Sequence, residues 1–253
     1  MLSKNQIKFI KSLSQKKYRD ESGCFLAEGN KLVADLLPYF DCELLLFEPS
    51  WLATQGNIKV SQLIKAEPGE IDKVSLLKNP QQVLAVFKQP QYTLDFALLS
   101  GKLSLVLDSI QDPGNLGTII RIADWFGIEN IICSLETADI YNPKTIQATM
   151  GALARVKVHY TDLSAFLEQN KTLPVYGTFL NGEDIYTGNL TSEGLIVMGN
   201  EGNGISEKIE QFISKRLYIP NYPADQPTSE SLNVAVATAI TCAEFRRRQV
   251  YSC

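Results

Sequence analysis

The sequence predicts an α/β protein in two parts: a small α/β domain ending near residue 90, then a larger α/β domain on a parallel sheet covered on both faces. Three observations predict it. Short apolar runs alternate with helix-periodic segments along the 253 residues. The stretch QPQYTLDFALLSGK at 89–102 has neither pattern and reads as a linker. Three strand ends in the second part are rich in Gly, Asn, Ser and charge, and strand ends of parallel sheets are where ligands usually sit.

The elements follow in order. Residues 3–17 predict a helix, with Ile7, Ile10 and Leu13 at helical spacing. GCFLAEG at 23–29 predicts a strand. NKLVADLLP at 30–38 predicts a helix with Asn30 as N-cap and Pro38 as stop. ELLLFEP (43–49) is a strand, SWLATQG (50–56) a short helix and QVLAVFK (82–88) a strand. In the second part LSLVLD (103–108) is a buried strand, and LGTIIRIADWFG (116–127) a helix with Gly127 placed as a C-cap glycine. IENIICS (128–134) is a strand, and NPKTIQATMGAL (142–153) a helix with Pro143 in its first turn. VKVHY, PVYGTFL, GLIVMGN and KRLYIPN are strands. Residues 205–214 and about 231–249 are helices.

Composition excludes several classes. Hydrophobic content of 45% and charged content of 21% are ordinary for a globular protein. No apolar run approaches the roughly 20 residues that span a bilayer. The N-terminal segment has lysines without an apolar core behind them, so no secretory signal is expected and the expected location is the cytoplasm. The five cysteines, at 24, 42, 133, 242 and 253, show no C-x-x-C spacing and read as free thiols rather than a disulfide framework or zinc site. The single histidine, His159, excludes most Ser-His-Asp chemistry and reads as structural or surface. The net charge is −4, yet Lys4, Lys8, Lys11, Lys16, Lys17 and Arg19 cluster in residues 1–19 without an acid. Such a patch either attracts phosphates or is the solvated face of a helix.

Chemistry concentrates at the three strand ends. In DSIQDPGNLGTIIR (108–121), Gly114 and Gly117 permit close backbone approach, and Asn115 can cap the following helix. Arg121 sits among isoleucines and needs a partner, solvent or an acid such as Asp108 or Asp124. LIVMGNEGNG (195–204) has the spacing G-x-x-G-x-G. It is neither a dinucleotide fingerprint nor a P-loop, which removes a nucleotide-dependent oxidoreductase from the candidates. What remains is a loop that can approach a ligand closely, with Glu201 inside it. The third end runs from Ile219 through a proline-rich loop to Ser231-Leu232-Asn233 and a small-residue helix, with Ser229 or Ser231 as candidate cap.

In this order the three segments resemble the motifs of the SpoU/TrmH branch of SPOUT RNA methyltransferases. The matching stretches are NLGTIIR (115–121), IVMGNEGNG (196–204), and Ile219-Pro220 followed by SLNVAVA (231–237). The segments KYR (17–19) and FLAEGNK (25–31) resemble the small substrate-binding domain of many members, which has a ribosomal-protein-like α/β/α fold and engages RNA. The resemblance implies an RNA substrate-binding domain at 1–95 and a methyltransferase domain at 102–253 whose parallel sheet carries a deep trefoil knot. It implies a homodimer with the active site at the subunit interface, and S-adenosyl-L-methionine held by the backbone at Gly199, Ile219 and Leu232. Methyl transfer goes to a ribose 2′-hydroxyl. Arg121 is the family's proposed base, but a guanidinium holds its proton too firmly for that task and is better suited to bind a phosphate and position the ribose. Asn115, Glu201, Ser231 and Asn233 then orient Arg121, the ribose and the loops, with Glu201 placed to hold Arg121 or its counterpart in the partner. Ribosomal RNA is the favoured substrate; transfer RNA, or RNA binding without catalysis, are the alternatives. The segment 221–230 departs from the family: it is longer, proline-containing and lacks the usual glycine.

Overall fold

The computed structural model describes residues 2–95, 99–223, 226 and 229–250. They form two compact units, Met1–Gln91 with Asp139–Ala154, and Tyr92–Ala138 with Arg155–Cys253.

The first unit opens with α1 (Lys4–Ser12) and α2 (Lys16–Ser22). The single helix expected over 3–17 is therefore two. Ser12 and Ser14 turn their hydroxyls onto the carbonyls of Phe9 and Lys11, offering the backbone an alternative to the helix. The break lets both Ile10 and Leu13 enter the core. Ser3 and Gln6 close a reciprocal capping box on α1. Then follow β1 (Cys24–Glu28), α3 (Asn30–Leu36), β2 (Cys42–Phe47), α4 (Pro49–Leu52), β3 (Val60–Lys65), α5 (Glu70–Val74) and β4 (Val83–Lys88). The sheet order is β1-β4-β2-β3, with β2 and β3 parallel and the other pairs antiparallel. The N-cap of α3 is Gly29, at φ +112°, not Asn30. The Asn30 side chain instead pairs with the Gln82 side chain and backbone. β3 and α5 are absent from the sequence reading, because an exposed edge strand has little apolar signal and a five-residue helix has little periodicity.

The second unit contains β5 (Leu103–Leu107), α6 (Pro113–Trp125), β6 (Asn130–Cys133), β7 (Lys157–Tyr160), α8 (Leu163–Gln169), β8 (Val175–Phe179), β9 (Glu183–Asp184), β10 (Gly194–Met198), α9 (Glu207–Glu210), β11 (Lys215–Tyr218) and α10 (Val234–Val250); helix α7 (Pro143–Thr149) falls between β6 and β7 in the chain. Seven strands run in the order β7-β6-β5-β10-β8-β11-β9, every pair parallel. Central β5 and β10 are buried at every residue, as a parallel sheet covered on both faces requires. Leu163, Phe166 and Leu167 of α8, a helix the sequence reading lacks, pack on Val106, Ile132, Val175 and Leu195. α10 packs along α6, and Arg246 donates to the carbonyls of Phe126 and Gly127 at the end of α6. Gly127 is left-handed at φ +62°, the conformation a glycine after a helix serves. The helix expected over 205–214 shrinks to Glu207–Glu210. This is the predicted α/β architecture, a smaller α/β unit preceding an all-parallel sheet in the chain.

Residues 139–154 complete the first unit. Tyr141 stacks on Phe25 with ring centroids 5.0 Å apart, and the Gln147 side chain donates to the Glu28 carbonyl. α7 stops at Thr149 because Met150 and Gly151 turn left-handed; a Cβ on Gly151 would lie 2.8 Å from the Asp35 carboxylate.

His159 is buried beside Asn130, and burial together with Lys157 lowers its pKa, so it stands neutral as a structural residue. Cys24, Cys42, Cys133 and Cys242 are buried free thiols; Cys253 lies outside the described residues. Among the described residues no helix is long and apolar enough to cross a membrane.

Candidate active site

The C-terminal ends of β5 and β10 are neighbours in register, Leu107 beside Met198, so the loops leaving them meet. Glu201 is where they join. Its carboxylate accepts the Gln111 and Asp112 N–H groups, both at 3.2 Å, and the Asn115 side-chain amide at 3.0 Å. Partial dehydration works against the charged form of Glu201. The Asn115 amide and the backbone N–H groups outweigh it and hold the carboxyl below its ordinary pKa. The location is favourable, since it leads into the positive end of α6.

Asn115 carries the connection onward. Its side-chain oxygen accepts the Asn233 amide at 3.0 Å. Asn233 in turn accepts the Ala235 and Val236 N–H groups and so caps α10. Asn233, not Ser229 or Ser231, starts the final helix. Likewise Asp112, not Asn115, caps α6: it accepts the Asn115 N–H at 2.7 Å and is followed by Pro113 at the first helical position. An Asp-Pro pair before an apolar helix is a start signal that could have found it. The first, second and third motifs are thus tied side chain to side chain through Glu201, Asn115 and Asn233. Ser231 is exposed and makes no hydrogen bond among the described residues.

Arg121 stands apart from this relay. Six residues along a helix turn through about 600°, so Arg121 and Asn115 face different ways. Arg121 is exposed and makes no hydrogen bond or ion pair among the described residues. Asp124 is taken by a two-pronged pair with Arg155, both contacts at 2.7 Å, and Asp108 by backbone and hydroxyl donors. The expectation that Glu201 holds Arg121 within one chain is corrected, because the carboxylate is filled by the α6 leader and Asn115. Arg121 lines a cavity of about 350 Å³ with Thr118, Ile122, Trp125, Phe126 and Ala239.

The expected cofactor residues lie along the same edge. Gly199 follows β10 and Ile219 follows β11, with β8 between those strands. Leu232 is 47% exposed. The residue after β8, Leu180, is 71% exposed and stands between Gly199 and Ile219; the sequence reading missed it because strand order is not legible there. Gly199 is needed for a reason other than ligand approach. A Cβ there would lie 2.2 Å from Gly204 C and Ile205 N, backbone atoms of its own loop. Gly199→Ala should therefore spring the loop open, lowering stability by about 1–3 kcal/mol and abolishing cofactor binding. Calorimetric titration with S-adenosylhomocysteine beside a thermal melt checks this, and wild-type values in both would refute it. Of the departing segment 221–230, residues 224, 225, 227 and 228 lie outside the described residues.

In the first unit, Lys4, Lys8, Lys11, Lys16 and Lys17 are exposed on α1 and α2. Lys17 lies 3.9 Å from Glu21, an exposed pair too weak to neutralise it. Arg19 does not belong to this patch. It is 2% exposed, bound to Asp139 through Nε at 3.1 Å and Nη2 at 2.5 Å, and donates Nη1 to the Leu13 carbonyl. A guanidinium filled in this way offers nothing to a phosphate.

Comparison with known proteins accords with this geometry. The model of the SpoU rRNA Methylase family matches residues 102–243, and that of the MRM3-like substrate binding domain matches residues 4–85. Over 250 residues the chain is 33% identical to the 23S rRNA (guanosine(2553)-2'-O)-methyltransferase RlmP of Bacillus subtilis, covering 96% of this chain and 97% of that one. A TrmH-family protein from Porphyromonas gingivalis superposes with a TM-score of 0.88 at 40% identity, covering 98% of this chain and 99% of that one. An AdoMet-bound rRNA methyltransferase from Sinorhizobium meliloti superposes with a TM-score of 0.83 at 32% identity, covering 98% and 96%. The architecture shared with these structures, including the all-parallel C-terminal sheet, is typical of the knotted SPOUT fold.

Proposed function

The chain belongs to the SpoU rRNA methylase family, and from that premise we propose that ribosomal RNA is the substrate on which it acts as an S-adenosylmethionine-dependent ribose 2′-O-methyltransferase. The observation that carries this reading is the side-chain relay Glu201–Asn115–Asn233, which joins all three motifs and leaves the arginine of the first motif unpaired.

The cofactor supplies an electrophilic sulfonium methyl. The strand-end residues fit it: backbone at Gly199 and Ile219, with Leu180 and Leu232 offering exposed apolar faces for a purine ring. Glu201 and Asn115 keep that edge fixed while substrate enters. Arg121 binds the phosphate beside the target nucleotide through its planar, multi-donor guanidinium and presents the ribose hydroxyl. Its five donors are open for this work because no acid among the described residues occupies them. Asn233 orients Asn115 and the start of α10, and Ser231, exposed two residues before it, adds a hydroxyl donor.

We also propose that the enzyme works as a homodimer through the face of α6 that carries Arg121. Trp125, one turn beyond Arg121, is 84% exposed beside the cavity described above. An exposed aromatic of that size on an apolar face favours a protein partner. Trp125→Glu should convert the dimer to monomer in sedimentation; a dimer that persists at low micromolar concentration argues against this face.

The lysines of α1 and α2 would follow the RNA backbone. Changing Lys4, Lys8, Lys11, Lys16 and Lys17 to Ala should weaken RNA binding and flatten its logarithmic salt slope by roughly 0.7–0.9 for each lysine meeting a phosphate. An unchanged slope, read by filter binding at several salt concentrations, would make the patch only a solvated face. The cytoplasm is the compartment we propose for the activity.

The deciding experiment transfers labelled methyl from S-adenosylmethionine to unmodified ribosomal RNA and transfer RNA. Label in ribosomal RNA, at a position resistant to alkaline cleavage, supports the reading. Label confined to transfer RNA replaces the substrate, and no label on either in a protein that binds S-adenosylhomocysteine favours a non-catalytic RNA binder.

A further inference from the structure

Asp108, at the C-terminal end of β5, is 4% exposed, and no role described above uses it. A buried carboxylate is costly unless hydrogen bonds satisfy it. Its Oδ2 accepts the Ser206 N–H at 2.8 Å and its Oδ1 the Ser109 hydroxyl at 3.2 Å. Its own N–H donates to the Met198 carbonyl at 2.9 Å, one step beyond the β5–β10 ladder. Among the described residues no cation pairs with it.

The next residue completes the arrangement. Ser109 is left-handed at φ 60°, a conformation that side chains disfavour. It is held there by donating its N–H to Ser134 Oγ at 3.1 Å, and its carbonyl accepts the Asn200 side-chain amide at 2.7 Å. Asn200 in turn accepts the Gly202 and Asn203 N–H groups. Two consecutive residues of one strand end therefore grip the glycine loop at both ends, Ser109 at Asn200 and Asp108 at Ser206. Gly199 and Glu201 sit beside the first grip.

We propose that Asp108 is a positioning residue for the cofactor: its carboxylate pins the Ser206 end of the loop, so that the backbone at Gly199 keeps the shape that the ligand meets. The proposal rests on the cofactor reading above. Asp108 touches no reacting atom in this scheme. Its effect belongs to cofactor affinity and not to the chemical step.

The probe is S-adenosylhomocysteine, titrated calorimetrically into the wild type, Asp108→Ala and Asp108→Asn. Asp108→Ala should bind about tenfold more weakly or worse. Its KM for S-adenosylmethionine should rise in step, with kcat at saturating cofactor kept within about threefold. Asp108→Asn retains one acceptor oxygen and should lose only about threefold in affinity. A residue that merely supported the fold would lower the melting temperature and kcat and leave KM in place, and that pattern overturns the proposal. So does a folded Asp108→Ala with wild-type affinity. If Asp108→Ala does not fold, Asp108→Asn decides: wild-type affinity overturns the proposal, weakened binding with kcat kept supports it. A wild type that does not bind S-adenosylhomocysteine sinks the cofactor reading itself, before Asp108 is at issue.

Discussion

Arg121→Ala should lower kcat by roughly 10²–10³, while affinity for S-adenosylhomocysteine and thermal stability stay at wild-type values. The stability half follows from the unpartnered, exposed position of Arg121: its removal leaves no buried group unsatisfied. The affinity half follows from its place on α6, facing away from the Glu201–Asn115 contact that holds the loop edge. Arg121→Lys keeps the charge but loses the planar fork, and should fall between wild type and alanine. Single-turnover methyl transfer at saturating cofactor measures the effect. If the alanine variant is folded but no longer binds S-adenosylhomocysteine, Arg121 belongs to the cofactor site and the positioning role is wrong. If it keeps full activity, another group positions the RNA.

Arg19→Ala should destabilise the protein more than any of the substitutions above. Arg19 and Asp139 form an ion pair with side chains 2% and 16% exposed, and the same guanidinium satisfies the Leu13 carbonyl at the break between α1 and α2. Removing one partner of a buried pair strands the other and costs about 3–5 kcal/mol. For a chain of this size that lowers the melting midpoint by about 10 °C. Asp139→Ala should cost a similar amount, and the double variant much less than the sum, because both changes remove one interaction. Calorimetry on the full chain tests this. Retained stability with weakened RNA binding would return Arg19 to the phosphate-binding patch from which its burial removes it.

Arg19 also shows why part of the site was legible in the sequence and part was not. As text it continues a run of lysines. The structure separates it from them through Asp139, 120 residues away in the chain, and no local pattern reports a contact of that range. Glu201 is similar. Its presence in a glycine loop marks it as functional, but its partner depends on which loop lies across from β10. That is decided by the β5–β10 register, which brings Asn115 to it and not Arg121. The caps differ for another reason. Asp112 and Asn233 are common cap residues in open view, and Asn115 and Ser231 compete with them only while the helix starts are known to no better than a few residues. Small elements such as β3, α5 and α8 escape because their apolar faces are short or shared with an exposed edge.

By itself the sequence determined the class of this protein. Alternating apolar runs demand an α/β core, since each strand and helix has to bury its own face, and that requirement is local. Three motifs of glycine, asparagine, glutamate and arginine in fixed order determined the family. What only the tertiary structure decided is which of these residues act on one another. Strand order 7-6-5-10-8-11-9 puts the ends of β5 and β10 side by side although 87 residues separate Leu107 from Gly194. It fills Glu201 with Asn115 and backbone N–H groups and grips the glycine loop through Asp108 and Ser109. Arg121 is left free. Hydrogen bonds act over about 3 Å, so such pairings exist only once the strands are ordered.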